Sequence, residues 1–302
     1  MSEYVKQSLS SGIPYDKIIP IKLDTYSHLL KELKKRKKTL RIPSNIIGLD
    51  KIITGFEAGR LYILSAPTKA GKTTMAQTLM HNLGKQDVRS MILSYEMGWE
   101  DIVEVFGNMD KQDNITTELP VYVPTLLHRG GGKLQFQWLF EAIAKAKEEK
   151  GVSFVVIDHL HFLLPLSDFK SVSFILGGIV REIKRIAVNL SVSIVLITHL
   201  QKIKDNKVPD WTDIRDSSFI TQEADVVFMM YRLMNKHTAR TQSDDTTLNK
   251  YTNKTIFSVE LNRMGGQTGK IKLTHNGTKF VELSELDEFL EPVGASLENV
   301  IF

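Results

Sequence analysis

The stretch SAPTKAGKTT, Ser65 to Thr74, constrains the fold more than any other part of the chain. It follows a short apolar run, RLYILS, and precedes MAQTLMHNL, whose apolar residues have helical spacing. Strand, glycine-bearing loop and helix in that order make a phosphate cradle. Successive backbone N–H groups of such a loop point inward at phosphate oxygens. The helix that follows adds the positive end of its dipole. A lysine then places a point charge on the β- and γ-phosphates, and a hydroxyl holds Mg²⁺. Gly71, Lys72 and Thr73 fill these roles in order. The expected nucleotide-binding loop is Ala66, Pro67, Thr68, Lys69, Ala70, Gly71, Lys72, Thr73 and Thr74, holding ATP or another NTP or dNTP with Mg²⁺. Ala66 stands where the usual pattern opens with glycine, and alanine at negative φ can make the same tight turn.

The rest of the chain supplies a sheet to carry that loop. Apolar runs alternate with helical stretches from Ile46 onward. Strands are expected at 61–65, 90–95, 120–123, 153–158, 192–198, 225–231, 255–261 and 270–274. Helices are expected at 72–84, 99–110, 134–150, 171–190 and 217–223. Runs such as FVVID and SIVLIT are continuously apolar rather than alternating. That suits strands buried on both faces, hence a mainly parallel sheet flanked by helices in an α/β fold. The polar, Thr/Asn-rich segment 235–255 reads as a loop or hairpin insert. The chain has no cysteine, which excludes disulfides, thiolate catalysis and cysteine-ligated zinc. No apolar run is long enough to span a bilayer, so no membrane partner is expected. The N-terminus lacks an apolar signal core, and a cytoplasmic location is expected, the host cytoplasm if the chain is phage-encoded.

Three further residues close apolar strands at what should be the same edge. SFVVIDH ends in Asp158, placed to order Mg²⁺ and its waters. MILSYEM carries Glu96, either a base for an attacking water or a cap for the following helix. VLITHLQK carries His199, which beside a γ-phosphate could register whether that phosphate is present.

Six blocks taken together resemble DnaB-type replicative helicases: SAPTKAGKTTMAQTL, ILSYEM, FVVIDHLHFL, VREIKRIAVNLSVSIVLITHLQK, DIRDSSFITQEADVVFMMYR and LNRMGGQTGKIKLTHNGTKF. The likeness spans roughly Thr25 to Glu282. His199 in the sensor position is closer to the Twinkle and phage primase-helicase branch than to bacterial DnaB, which has glutamine. The resemblance implies a RecA-like core assembled as a ring, usually a hexamer, with nucleotide between subunits. It implies that Lys72, Thr73, Glu96 and Asp158 act in cis with His199 as sensor, and that Arg263 is a finger reaching the neighbour's γ-phosphate. It also implies that Arg215, Asp216 and Ser218 follow the backbone of single-stranded DNA in a central channel. The alternative for Arg215 is a surface salt bridge with Asp213 or Asp216. Two departures stand out: Leu261 replaces a lysine common two residues before the finger, and Ser218 stands where relatives often have glycine.

Charge is uneven. Residues 1–41 carry a net +6 and the remainder −2, so nucleic-acid binding by the main body has to be local. The expected organisation is an arm and basic linker helix over 1–41, with the helix at 25–38, followed by a RecA-like ATPase domain over 42–302. Leu29, Leu30 and Leu33 would pack that helix on an adjacent subunit, or dock elsewhere as an ordinary amphipathic face. The expected function is an ATP-driven ring helicase translocating 5′ to 3′ on single-stranded DNA, with primase, polymerase or a loader as further partners. The competing reading is a nucleotide-gated DNA-binding or scaffold ATPase with little unwinding.

Overall fold

The computed structural model describes residues 24–35, 41–125, 133–163, 172–201, 208–215, 217–234 and 251–283. The chain divides into two units, Met1–Leu40 and Arg41–Phe302. In the first, helix α1 (Tyr26–Lys35) falls within the 25–38 expected, of which 36–38 lie outside the described residues. The Thr25 hydroxyl accepts the His28 N–H at 3.3 Å and opens the helix. Tyr26 and Leu29 face solvent. The side chain of Leu33, the arm 1–23 and residues 36–40 lie outside the described residues.

The second unit is built on one nine-stranded sheet. Its strands are β1 (Leu61–Ala66), β2 (Ser90–Ser94), β3 (Val121–Tyr122), β4 (Phe154–Asp158), β5 (Ser193–His199), β6 (Val226–Met234), β7 (Tyr251–Asn262), β8 (Gly269–His275) and β9 (Phe280–Glu282). Their spatial order is 3-2-4-5-1-6-7-8-9. The first six strands in that order are parallel, and β7, β8 and β9 extend the sheet antiparallel.

The continuous apolar runs are explained by burial on both faces. Tyr62, Leu64, Phe154, Val156, Val195 and Ile197 point into one core. Their chain neighbours Leu61, Ile63, Val155, Ile157, Ile194 and Leu196 point into the other. Helices α3 (Lys72–Gly84) and α4 (Trp99–Asp113) contribute to the first core. Helices α5 (Lys133–Lys150), α6 (Val172–Leu190) and α7 (Ser217–Glu223) contribute to the second. At roughly 25 cal/mol per Å², burying each large aliphatic side chain contributes about 1.5–3 kcal/mol. The sheet thus gains on both faces at every inner strand.

Connection order places the site. From β1, α3 carries the chain past β5 and β4 to β2, whereas the chain leaving β5 passes through α7 to β6 on the opposite side of β1. The carboxyl end of β1 is therefore a topological switch point, where open α/β sheets leave a crevice.

Three elements differ from the sequence expectation. A short helix, α2 (Ile47–Ile53), precedes β1. It is fixed by Ser44, whose N–H is accepted by Asp50 at 2.7 Å, and by Thr54 in a left-handed closing conformation. Strand β7 begins at Tyr251, inside the stretch expected as an insert. There the Thr252 hydroxyl donates to the Leu233 carbonyl, and Arg232 donates to the Thr252 carbonyl, so polar side chains support the pairing. Strand β9 has no counterpart among the expected strands, and residues 235–250 and 284–302 lie outside the described residues.

β9 is clamped to the loop-bearing helix. Phe280 N–H donates to the Thr78 hydroxyl at 3.2 Å, and Lys279 pairs with Asp113, which also accepts from Lys85 at 2.8 Å. Burial alone pushes the Asp113 carboxyl up, but the two lysines more than reverse this and hold it at about 2. Beside them lies fully buried His81, 3.0 Å from Asp110. Burial, then the charge of Lys279, pushes its pKa below the ordinary value, against the hydrogen bond that Asp110 accepts from the ring. The folded state thus binds the His81 proton more weakly than the unfolded chain, so stability falls as pH drops below the unfolded imidazole value of about 6.5. Urea unfolding at pH 7.5 and pH 5.5 should show this loss, and His81→Gln should reduce it. Asp113→Asn should cost about 1–2 kcal/mol at neutral pH.

Candidate active site

Four strands deliver the expected residues to one edge of the sheet. In register, Ala66 on β1 lies beside His199 on β5, and Ser94 on β2 lies beside Asp158 on β4. Glu96 follows two residues beyond Ser94. The strand interiors are filled by apolar side chains on both faces, so the polar functional groups gather at the strand ends, where Asp158 is itself still buried.

The loop from Ala66 to Gly71 turns through Lys69 (φ 63°) and Gly71 (φ 93°) before α3 begins. Ala70 N–H donates to the Pro67 carbonyl at 3.2 Å. Gly71 is required twice. Its φ is left-handed, and a Cβ there would lie 2.9 Å from the Phe280 ring. Ala66 and Ala70 are buried, Thr68 and Lys69 are exposed, and Pro67, Thr73 and Thr74 are half-buried. Lys72 folds back over the loop, its Nζ donating to the carbonyls of Ala66 at 3.1 Å and Pro67 at 3.4 Å. Burial pushes its pKa down, opposed by the charges of Asp158 and Glu96. Those two carboxylates therefore share the field of the same ammonium.

Asp158 is fully buried, and its Oδ2 accepts the Thr73 hydroxyl at 2.8 Å. Its Oδ1 makes no hydrogen bond among the described residues. His159 Nδ1 lies 2.6 Å from that oxygen without hydrogen-bond alignment, and a buried carboxylate oxygen lacking an aligned donor is costly. Beside a threonine hydroxyl it is the donor set a hard divalent cation takes, so the residues fit Mg²⁺. Glu96 is exposed, and its Oε2 lies 2.8 Å from Nδ1 of His159. The same nitrogen lies 2.6 Å from Asp158 Oδ1. Glu96, Asp158 and His159 each bring a ligand atom within 4.8 Å of the others. The His159 ring stacks on His199 with centroids 4.2 Å apart and planes 21° apart.

Sequence reading gives His159 no role, although its place directly after Asp158 is the available signal. It also gives none to Phe280 or Asp225. Asp225 joins the starts of β1 and β6, taking the Leu61 N–H at 2.7 Å and pairing with Arg60 and Lys184. Its carbonyl accepts the Arg263 N–H at 2.8 Å.

Arg263 does not join this cluster within its own chain. Its guanidinium donates to the carbonyls of Gln222 at 2.6 Å and Thr221 at 3.1 Å, at the C-terminal end of α7. Those are carbonyls a helix end leaves unpaired. Arg215 is exposed, and its N–H donates to the His199 carbonyl at 3.1 Å. Asp216 lies outside the described residues. Ser218 falls within α7, and its side chain lies outside them.

A parallel α/β sheet with a glycine-lysine-threonine loop at its switch point, faced by a buried aspartate, defines a P-loop nucleotide-binding protein. The model of the DnaB-like helicase C terminal domain matches residues 41–282, and the chain belongs to that family. The replicative DNA helicase DnaC of Bacillus subtilis (strain 168) is 27% identical over 308 residues, covering 93% of this chain and 65% of the relative. The replicative DNA helicase DnaB of Geobacillus stearothermophilus is 26% identical, covering 96% of this chain and 67% of the relative. The chain thus spans about two thirds of the length of these curated relatives. The fold matches a solved ATPase domain (TM-score 0.64, 18% identity, 85% of this chain and 97% of that one). It also matches a DnaB-like replicative helicase described with its interactions with primase (TM-score 0.65, 17% identity, 93% and 71%). These two likenesses establish the RecA-like fold.

Gly71→Ala should cost about 1–2 kcal/mol through left-handed backbone strain, with a further loss from the Phe280 contact. In urea titrations, adding Phe280→Leu should recover only the steric part. Full recovery by Phe280→Leu would mean that backbone conformation is not the constraint.

Proposed function

We propose that the chain is the motor domain of a replicative DNA helicase, which hydrolyses ATP with Mg²⁺ to translocate on single-stranded DNA. The observation that carries this is the convergence of Lys72, Thr73, Asp158 and Glu96 on one sheet edge in a chain of this family. Ala66 to Thr74 would cradle the triphosphate, with Lys72 leaving its loop carbonyls for the β- and γ-phosphate oxygens. Thr73 and Asp158 would hold Mg²⁺, which screens charge gathering on the phosphates when bound. Glu96 would accept the proton of the attacking water. Its exposure keeps it accessible to that water.

Arg263 would act in a ring, most simply a hexamer, on the triphosphate of the neighbouring protomer, where fixed positive charge offsets the negative charge of the transition state. Its guanidinium is held at one end of α7, and Arg215 and Ser218, which would meet DNA together with Asp216, lie at the other end. His199 joins both ends of the system. Its ring lies at the nucleotide edge, and its carbonyl holds the backbone of Arg215. A shift of the end of β5 with phosphate occupancy would therefore reach the DNA loop through one hydrogen bond. Phosphate contacts of this kind carry little sequence information, which suits a translocating motor. Polarity of 5′ to 3′, action in the cytoplasm, and association with a primase, polymerase or loader complete the proposal. No described helix is long and apolar enough to cross a membrane.

One observation favours a nucleotide-gated DNA-binding scaffold as the second reading. Leu261 packs against the core and supplies no cation beside Arg263.

Strand displacement on a forked duplex should require ATP and Mg²⁺, and Lys72→Ala should abolish it. Arg263→Ala should lower turnover about 10²- to 10³-fold with nucleotide affinity little changed. Mixing Lys72→Ala with Arg263→Ala subunits should restore part of the turnover, because some interfaces then regain both residues. ATP turnover without strand displacement, with stable DNA binding on a non-hydrolysable analogue, would select the scaffold. Turnover indifferent to DNA would count against both.

A further inference from the structure

We propose that His159 is a positioning residue, which holds the Glu96 carboxylate against the nucleotide edge and ties it sterically to His199; this rests on the reading of Glu96 given above. Glu96 sits past the end of β2 with its side chain mostly in solvent, where a carboxylate samples many rotamers. Proton abstraction needs it within hydrogen-bond reach of one water. The described group at its head is His159, whose Nδ1 lies 2.8 Å from Glu96 Oε2 as an ion-pair contact without hydrogen-bond alignment. The imidazole is itself fixed. It is 2% exposed, its Nδ1 contacts Asp158 Oδ1, and its face lies on the His199 ring. A rigid, buried ring therefore holds a mobile, exposed carboxylate.

The stack adds a second consequence. His199 occupies the end of β5, where its carbonyl holds Arg215 N–H. Movement of the His199 ring presses on the face of His159, and His159 touches both carboxylates of the site. Displacing His199 would thus move Glu96 as well as the DNA loop, so water activation and DNA contact would respond to one event.

A double-mutant cycle on the full chain tests the role. His159→Phe keeps an aromatic face for His199 and removes Nδ1. Turnover should fall about 10- to 100-fold, less than the full contribution of a general base. The dissociation constant for a non-hydrolysable ATP analogue, read by fluorescence titration, should stay within about twofold. The gain in affinity that aluminium fluoride confers on ADP, a transition-state mimic, should shrink in parallel. Glu96→Gln should lose most turnover, and the double variant should be no slower than Glu96→Gln alone. Should His159→Phe fold poorly, His159→Asn and His159→Leu replace it, and the asparagine, which keeps a donor, must be the faster of the two. Wild-type turnover in His159→Phe overturns the proposal. So does a loss that multiplies with that of Glu96→Gln, or an equal loss of analogue affinity. An active Glu96→Gln overturns the reading of Glu96 itself, and the proposal with it.

Discussion

The site depends on a carboxylate buried where water cannot reach it. Asp158 has no exposed surface, one oxygen on the Thr73 hydroxyl and the other against His159. Leaving an ionised group so enclosed is expensive unless positive charge or donors surround it. Lys72 lies in its field, burial lowering the lysine's pKa and Asp158 drawing it back up. The strand that carries Asp158 is buried on both faces, so the carboxylate cannot retreat. The sheet thereby presents a fixed demand for cationic charge at the mouth of the phosphate loop, one that the proposed nucleotide with a divalent metal would answer.

The same sheet edge is the start of a path of contacts that leads away from the phosphate loop. Ala66 and His199 are neighbours in register, and both flank the loop. Beyond β5 the chain passes to Arg215, then α7, whose last carbonyls hold Arg263. Each step is one hydrogen bond or one short helix. Short rigid links transmit small displacements better than long flexible ones, because packed elements move between discrete arrangements rather than deforming. In a ring this path would run from one protomer's nucleotide to the guanidinium offered to the next.

Much of this is legible in the sequence because it rests on local patterns. Continuous apolar runs such as FVVID mark strands covered on both faces, and the loop between strand and helix marks the phosphate cradle. Resemblance then supplies the family. What escapes reading depends on contacts distant in the chain. Phe280 meets Gly71 across more than two hundred residues, and nothing in TKFVE reveals it. His159 reads as an ordinary residue after Asp158 until the ends of β2 and β5 are brought together around it. The stretch before Ile256 looks like a loop because its side chains are polar, yet β6 pairs with it through Thr252 and Arg232. Helix α2 is too short for periodicity to reveal. Ser44, Asp50 and Thr54 define it through their mutual hydrogen bonds.

The most direct measurement of the central claim is the Mg²⁺ dependence of ATP-analogue binding in wild type and in Asp158→Asn. If Asp158 is the charge that the metal answers, Mg²⁺ should tighten binding to the wild type by about tenfold or more, ~1.4 kcal/mol. In Asp158→Asn that increment should disappear, while metal-free binding should hold or improve as a negative charge is removed from the phosphates. An Asp158→Asn chain that kept the full Mg²⁺ effect would contradict the account.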